Sequence, residues 1–149
     1  MASLGQHLSV DMYGCRVEQL TDVDFIKEAM VAAIKEANMT LLNISYQLFE
    51  EGITAFAFLN ESHMTIHTNP RLGYMSIDIF TLNKTTRPDK AVSALRKFIK
   101  PDKTKTTLIL RGDVNSLRDM KPKVRVNITP IRRVKNTGAR VLRFLGRKS

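Results

Sequence analysis

Four β-rich stretches, at 40–49, 53–59, 62–68 and 73–81, follow one another with only two to four residues between them. Parallel strands need a crossover of a dozen or more residues, so connections this short leave only antiparallel pairing. A half-buried sheet of this kind must have its apolar face covered. Two amphipathic segments are available to cover it. In the first, Phe25, Ile26, Ala29, Met30, Ala33, Ile34 and Ala37 fall near a 3.6-residue period, while Lys27, Glu28, Lys35 and Glu36 take the other side. Thr21 and Asp24 resemble a capping box at its start, and the helix is expected to run to about Asn38. The second starts at Pro88, a residue suited to a first helical turn, carries Ala91, Val92, Leu95, Phe98 and Ile99, and stops before Pro101.

A strand at 6–14, with Leu8, Val10 and Met12 alternating against His7, Ser9 and Asp11, precedes these elements, and another at 106–110 follows them. The order β-α-β-β-β-β-α-β predicts an α+β two-layer sandwich, a mostly antiparallel sheet with two helices on one face. At 149 residues, of which 43% are hydrophobic and 26% charged, the chain has material for one core. Its longest apolar run, 53–59, is far below the roughly 20 residues of a membrane span, and its first residues form no signal peptide, so a cytoplasmic protein is expected.

The net charge of +10 suggests nucleic acid until its distribution is read. Residues 1–120 hold 14 basic and 14 acidic side chains, and the whole excess lies in 121–149, which has ten basic residues and no acid. The expected division is therefore a neutral domain, 1–120, and a basic C-terminal extension, 121–149. Val124, Val126 and Ile128 could add a strand to the extension, and Val134, Val141, Leu142, Phe144 and Leu145 could back a basic helix. A polyanion-binding module is a secondary reading, because the extension does not speak for the neutral body.

One cysteine, Cys15, and three histidines, His7, His63 and His67, offer little for a disulfide or a structural metal. His63 and His67 lie in a segment, Glu61-Ser62-His63-Met64-Thr65-Ile66-His67-Thr68, with strand alternation. Four residues along a strand is roughly 13 Å, too far for both rings to hold one ion, and no metal site is expected.

This segment resembles the processing site of the prokaryotic S-adenosylmethionine decarboxylases, pyruvoyl-dependent enzymes of polyamine synthesis. The likeness extends from residue 4 to 112: His7-Leu8, then Asp11-Met12-Tyr13-Gly14-Cys15, Gly52-Ile53-Thr54, Asp78-Ile79-Phe80-Thr81 and Arg111-Gly112 match the family's motifs in order and spacing. The resemblance implies that the Ser62 hydroxyl attacks the carbonyl of Glu61, that the resulting ester eliminates, and that residue 62 becomes a pyruvoyl group heading a new chain. His67 matches the family's processing base and Thr54 a hydroxyl that assists the acyl shift. A pyruvoyl ketone forms an imine with a substrate amine and takes up the electrons released with carbon dioxide, which no natural side chain does. The resemblance also implies a homodimer whose active sites draw residues from both protomers. Strict alternation puts Ser62 and His67 on opposite faces, so a backbone bend is expected near the cleavage point.

The chain departs from the family at four places. Where the family reads His-Thr-Trp-Pro-Glu, this chain has Asn69 and Arg71 in place of the tryptophan and the ribose-binding glutamate. Leu48 stands where an adenine-stacking phenylalanine is usual, with Phe49 beside it, and Leu82 replaces the cysteine that reprotonates the substrate carbon. These changes spare the processing residues and fall on the nucleoside pocket. They point to a basic amino-acid substrate, L-ornithine or L-arginine, with S-adenosylmethionine itself as one alternative and an inactive regulatory paralogue as another. Glu50, Glu51, Asp11 and Asp78 are candidates to meet a distal cation, and Arg71 to meet a carboxylate. Tyr13, Cys15, His63 or water are left as proton donors.

Overall fold

The computed structural model describes residues 3–121. In these residues a six-stranded antiparallel sheet has the order β2-β3-β4-β5-β1-β6. The strands are β1 (Ser3–Tyr13), β2 (Leu41–Phe49), β3 (Gly52–Leu59), β4 (Ser62–Asn69), β5 (Tyr74–Thr81) and β6 (Lys103–Asp113). Helices α2 (Val23–Glu36) and α3 (Pro88–Ile99) cover one face, so the two-layer α+β sandwich is the fold. The four closely linked strands pair in sequence, and β1 enters between β5 and β6.

Burial follows the two periods. On β1, Leu8, Val10 and Met12 are buried, as are Met64 and Ile66 on β4 and Met75, Ile77 and Ile79 on β5. Against them lie Ile26, Ala29, Met30, Ala33 and Ile34 of α2 and Ala91, Val92, Leu95 and Ile99 of α3. Phe25, expected in the apolar stripe of α2, is only partly buried and meets Phe98 of α3 at 5.0 Å between ring centroids. At this distance the pair links the helices as well as covering the core.

Three local features differ from the expectations. A single helical turn, α1 (Val17–Leu20), precedes α2, and Thr21 closes it, its hydroxyl within hydrogen-bond reach of the Glu18 carbonyl at 3.3 Å and the Val17 carbonyl at 3.4 Å. The cap of α2 is therefore Asp22, whose carboxylate accepts from the Phe25 N–H at 3.1 Å. A 3₁₀ turn (Pro70–Leu72) joins β4 to β5, and a further short helix, α4 (Leu117–Met120), follows β6. Apart from Lys121, the basic extension, with its expected strand and helix, lies outside the described residues. No helix among the described residues is long and apolar enough to cross a membrane.

Candidate active site

The cleavage-point residues sit at one end of the sheet. Leu59 pairs with Ser62, so Asn60 and Glu61 form a two-residue hairpin loop between β3 and β4. Of the two loop residues only Glu61 is left-handed, with φ +56°. A side-chain-bearing residue in this region costs about 1–2 kcal/mol. The strain therefore falls on the residue whose carbonyl the resemblance marks for attack. The bend expected near the cleavage point does not interrupt β4, whose register with β3 and β5 is unbroken from Ser62 onward. The irregular backbone is one residue earlier, in the turn.

The end of β5 supports the same peptide. The Leu82 N–H donates to the Glu61 carbonyl oxygen at 2.9 Å, and the Ser62 hydroxyl donates to Thr81 Oγ1 at 2.8 Å. A hydrogen bond to the carbonyl oxygen draws charge away from its carbon and would hold the oxyanion formed by attack. Leu82, which the resemblance sets in the place of the family's cysteine, thus contacts the candidate cleavage site through its backbone. The Leu82 side chain itself is about half exposed beside Gly5.

Thr54 and His67 are brought together elsewhere. They pair across β3 and β4, and Thr54 Oγ1 lies 2.9 Å from His67 Nδ1. Gly52 sets this register. At φ +150° it passes so close to β4 that a Cβ there would meet the Thr68 carbonyl oxygen at 2.0 Å, and the next N–H, that of Ile53, donates to Thr68 Oγ1 at 2.9 Å. His67 faces the uncovered side of the sheet, whereas the Ser62 hydroxyl turns toward the helix side, where Thr81 is buried. They are five steps apart along the strand, roughly 17 Å at about 3.3 Å each. Within one chain, then, Ser62 is far from both residues matched to its processing.

Of the four residues at which the resemblance marks a departure from the family, Leu48, Asn69 and Arg71 lie at the Thr54–His67 end and Leu82 at the Ser62 end. A cleft of about 390 Å³ is lined by Leu48, Phe49, Glu50, Glu51 and Arg71, among others. Arg71 and Glu51 approach to 3.7 Å with both side chains well exposed, an ion pair of small worth to stability. Asn69 is used locally, its side-chain oxygen accepting from the Leu72 N–H at 3.3 Å. Asp11 and Asp78 lie outside the cleft and already have partners. Tyr74 donates to Asp11 at 2.5 Å, and His7 Nε2 is 2.9 Å from Asp78. Burial, and then the Asp11 carboxylate, push the Tyr74 hydroxyl up to about 12.

Among the proton-donor candidates, His63 is at the Ser62 end. It stacks on Phe56 at 5.6 Å and lies 5.6 Å from the Phe80 ring. Tyr13 is at the other end, against Tyr74. Cys15 is also at that end and is buried; burial and the nearby Asp102 push its thiol up to about 11. It is therefore a neutral, inert thiol near pH 7. Among the described residues, no three His, Cys, Asp or Glu side chains gather as metal ligands would.

Comparison with known proteins agrees with the motifs. The S-adenosylmethionine decarboxylase family profile matches residues 6–112. An S-adenosylmethionine decarboxylase proenzyme of Methanococcus maripaludis strain S2 is 36% identical over 116 residues, covering 77% of this chain and 95% of the relative. Those of Thermosipho melanesiensis and Brevibacillus brevis are 36% and 31% identical, covering 78% and 84% of this chain and 91% and 94% of the relatives. The crystal structure of the adenosylmethionine decarboxylase from Aquifex aeolicus superposes with a TM-score of 0.69 over 86% of this chain and 100% of that one, and at 24% identity this speaks for the fold. The profile and the relatives together show that the chain belongs to the S-adenosylmethionine decarboxylase family, whose pyruvoyl group is made from a serine by self-cleavage.

Proposed function

We propose that the chain is a proenzyme that cuts itself between Glu61 and Ser62, turns Ser62 into a pyruvoyl group and uses it to decarboxylate an amino acid. The observation that carries this reading is the state of the Glu61–Ser62 peptide. Its carbonyl belongs to a left-handed residue and accepts from the Leu82 N–H, and the next residue brings a hydroxyl. Ser62 Oγ adds to the Glu61 carbonyl carbon, the C–N bond breaks, and the proton passes to the Ser62 nitrogen, leaving an ester. His67, hydrogen-bonded to Thr54, is the base that removes the Ser62 α-proton in the elimination that follows.

For His67 to act, a second chain is needed. The uncovered face carries Phe56, Phe58 and Phe80, with Phe58 55% exposed, and no described element lies over it. We assign a second copy to this face, related by a two-fold axis, so that the Ser62 end of one protomer meets the Thr54–His67 end and cleft of the other. This arrangement covers the aromatic residues and replaces the separation of roughly 17 Å along one strand with an approach between protomers at the sheet end, where the Ser62 α-carbon, not its helix-side hydroxyl, is the atom His67 has to reach. Each site would then be shared.

The names of the relatives favour S-adenosylmethionine as the substrate. A second reading, L-ornithine or L-arginine, draws on the cleft itself, where Glu50 and Glu51 offer carboxylates to a distal cation. Intact mass spectrometry followed by carbon dioxide release from each of the three compounds tests the proposal. Two fragments meeting at 61/62, with release from S-adenosylmethionine, are expected. Release only from a basic amino acid would replace the first substrate with the second, and an uncut, inactive chain would overturn the enzyme reading in favour of a regulatory paralogue.

A further inference from the structure

The Ser62 hydroxyl is the start of a buried hydroxyl chain that the processing residues do not account for. Thr81 is 2% and Thr86 7% exposed. Ser62 Oγ lies 2.8 Å from Thr81 Oγ1, Thr81 Oγ1 lies 3.0 Å from Thr86 Oγ1, and Thr86 Oγ1 lies 2.7 Å from the Asn83 carbonyl oxygen. A hydroxyl has one proton to donate, so the shorter contacts set the direction of the chain. Thr86 gives its proton to the Asn83 carbonyl, Thr81 donates to Thr86 at 3.0 Å rather than to the Asn83 carbonyl at 3.3 Å, and Ser62 donates to Thr81 at 2.8 Å rather than to the Asn60 carbonyl at 3.2 Å. The Asn83 N–H donates to the same Thr81 oxygen at 3.0 Å, which holds that oxygen in place from a second side.

Resting on the self-cleavage reading above, we propose that Thr81, locked by Thr86, is a positioning residue for the acyl shift. It fixes the rotamer of Ser62 and leaves the oxygen lone pairs free to attack. The next residue, Leu82, just past the end of β5, holds the Glu61 carbonyl oxygen through its N–H. Two consecutive residues of one strand end thus place the nucleophile by a side chain and the electrophile by the backbone. Thr81 takes no proton: Ser62 Oγ bonds to the Glu61 carbonyl carbon, the Glu61 C–Ser62 N bond breaks, and the hydroxyl proton ends on the freed amine. The contribution is orientation, which is lost with the γ-hydroxyl and kept by any residue that retains it.

The test follows the rate of self-cleavage of the full chain during cell-free synthesis, for wild type, Thr81→Val, Thr81→Ser and Thr86→Val, with thermal melting of each. Thr81→Val should cut about ten-fold more slowly, the loss of one hydrogen bond to the reacting group, with Thr86→Val in between and Thr81→Ser near wild type. Hydroxylamine, which traps esters, should intercept the wild-type chain at Glu61 and find little ester in Thr81→Val, because the slowed step comes before the ester. If Thr81→Val does not fold, the Thr86→Val and Thr81→Ser rates decide. A wild-type chain that is cut while the folded variants keep its rate overturns this proposal alone; a wild-type chain never cut at 61/62 overturns the self-cleavage reading and this proposal together.

Discussion

Thr54 and His67 share a 2.9 Å hydrogen bond across β3 and β4, and they do so at the opposite end of β4 from Ser62. Both belong to the same strand pair as the serine, yet the pleat and the strand rise keep them apart. In the proposed function this division between two ends of one sheet is what calls for a second copy.

A complementation experiment addresses this directly. Ser62→Ala and His67→Ala chains should each remain uncut when produced alone. Co-expressed with different tags, they should form mixed dimers in which the His67→Ala chain, which keeps its serine, is cut by its partner's histidine. Fragments derived only from the His67→Ala chain are the expected mass-spectrometric result. Continued silence of a mixture in which mixed dimers are present would overturn the shared site.

Glu61 offers a measurement of strain. In an uncleavable Ser62→Ala background, Glu61→Gly should raise stability by about 1 kcal/mol, the left-handed penalty less the larger entropy that glycine loses on folding. Urea unfolding of the two chains reads the difference. No gain would mean that the turn relaxes around the glutamate.

Arg71 and Glu51 report on the substrate. If the cleft takes a basic amino acid, Glu51→Gln should raise KM several-fold with kcat little changed, since it removes a binding charge far from the bond that breaks. With S-adenosylmethionine as substrate the same change should be near neutral. Steady-state carbon dioxide release over a range of substrate concentrations separates the two outcomes.

His63 is the side-chain candidate for proton return at the Ser62 end, stacked between Phe56 and Phe80. His63→Phe should keep the stack and allow self-cleavage, while slowing turnover of the processed enzyme by ten-fold or more, roughly the lower end of what general acid catalysis contributes. Unchanged turnover would assign the proton to water.

Alkaline stability follows from two groups. The Cys15 thiol rises from its ordinary 9.0 to about 11, and the Tyr74 hydroxyl from 10.0 to about 12. In each case the folded state favours the neutral form, so the stabilisation is complete below the unfolded value and is lost as pH rises through the folded one. Thermal melts should hold level to about pH 9 and fall between about pH 9 and 12. Cys15→Ser should remove the earlier part of the fall; a curve unchanged by that substitution would show that the thiol does not contribute.

Much of this protein was fixed by periodicities along the chain. Alternation on the strands, the 3.6-residue stripes of α2 and α3, and the short connections determined the layers, the antiparallel pairing and the buried residues, because each is a local consequence of where apolar side chains point. The motif around Ser62 likewise marked the family and the proposed point of cleavage. What sequence left undecided depends on which segments become neighbours in space. Asp22 replaces Thr21 as a cap because an extra helical turn claims the threonine. The left-handed φ of Glu61, rather than a bend in β4, follows from the two-residue register between Leu59 and Ser62. Thr81 was visible only as part of a motif, and its contact with Ser62 exists because β5 lies beside β4 in one register. The separation of Ser62 from His67 is of the same kind: spacing gave the alternation, but only the unbroken pairing of β4 on both sides kept the strand straight and the two residues apart. Hydrogen bonds between distant segments set these positions, and no pattern within a single segment encodes them.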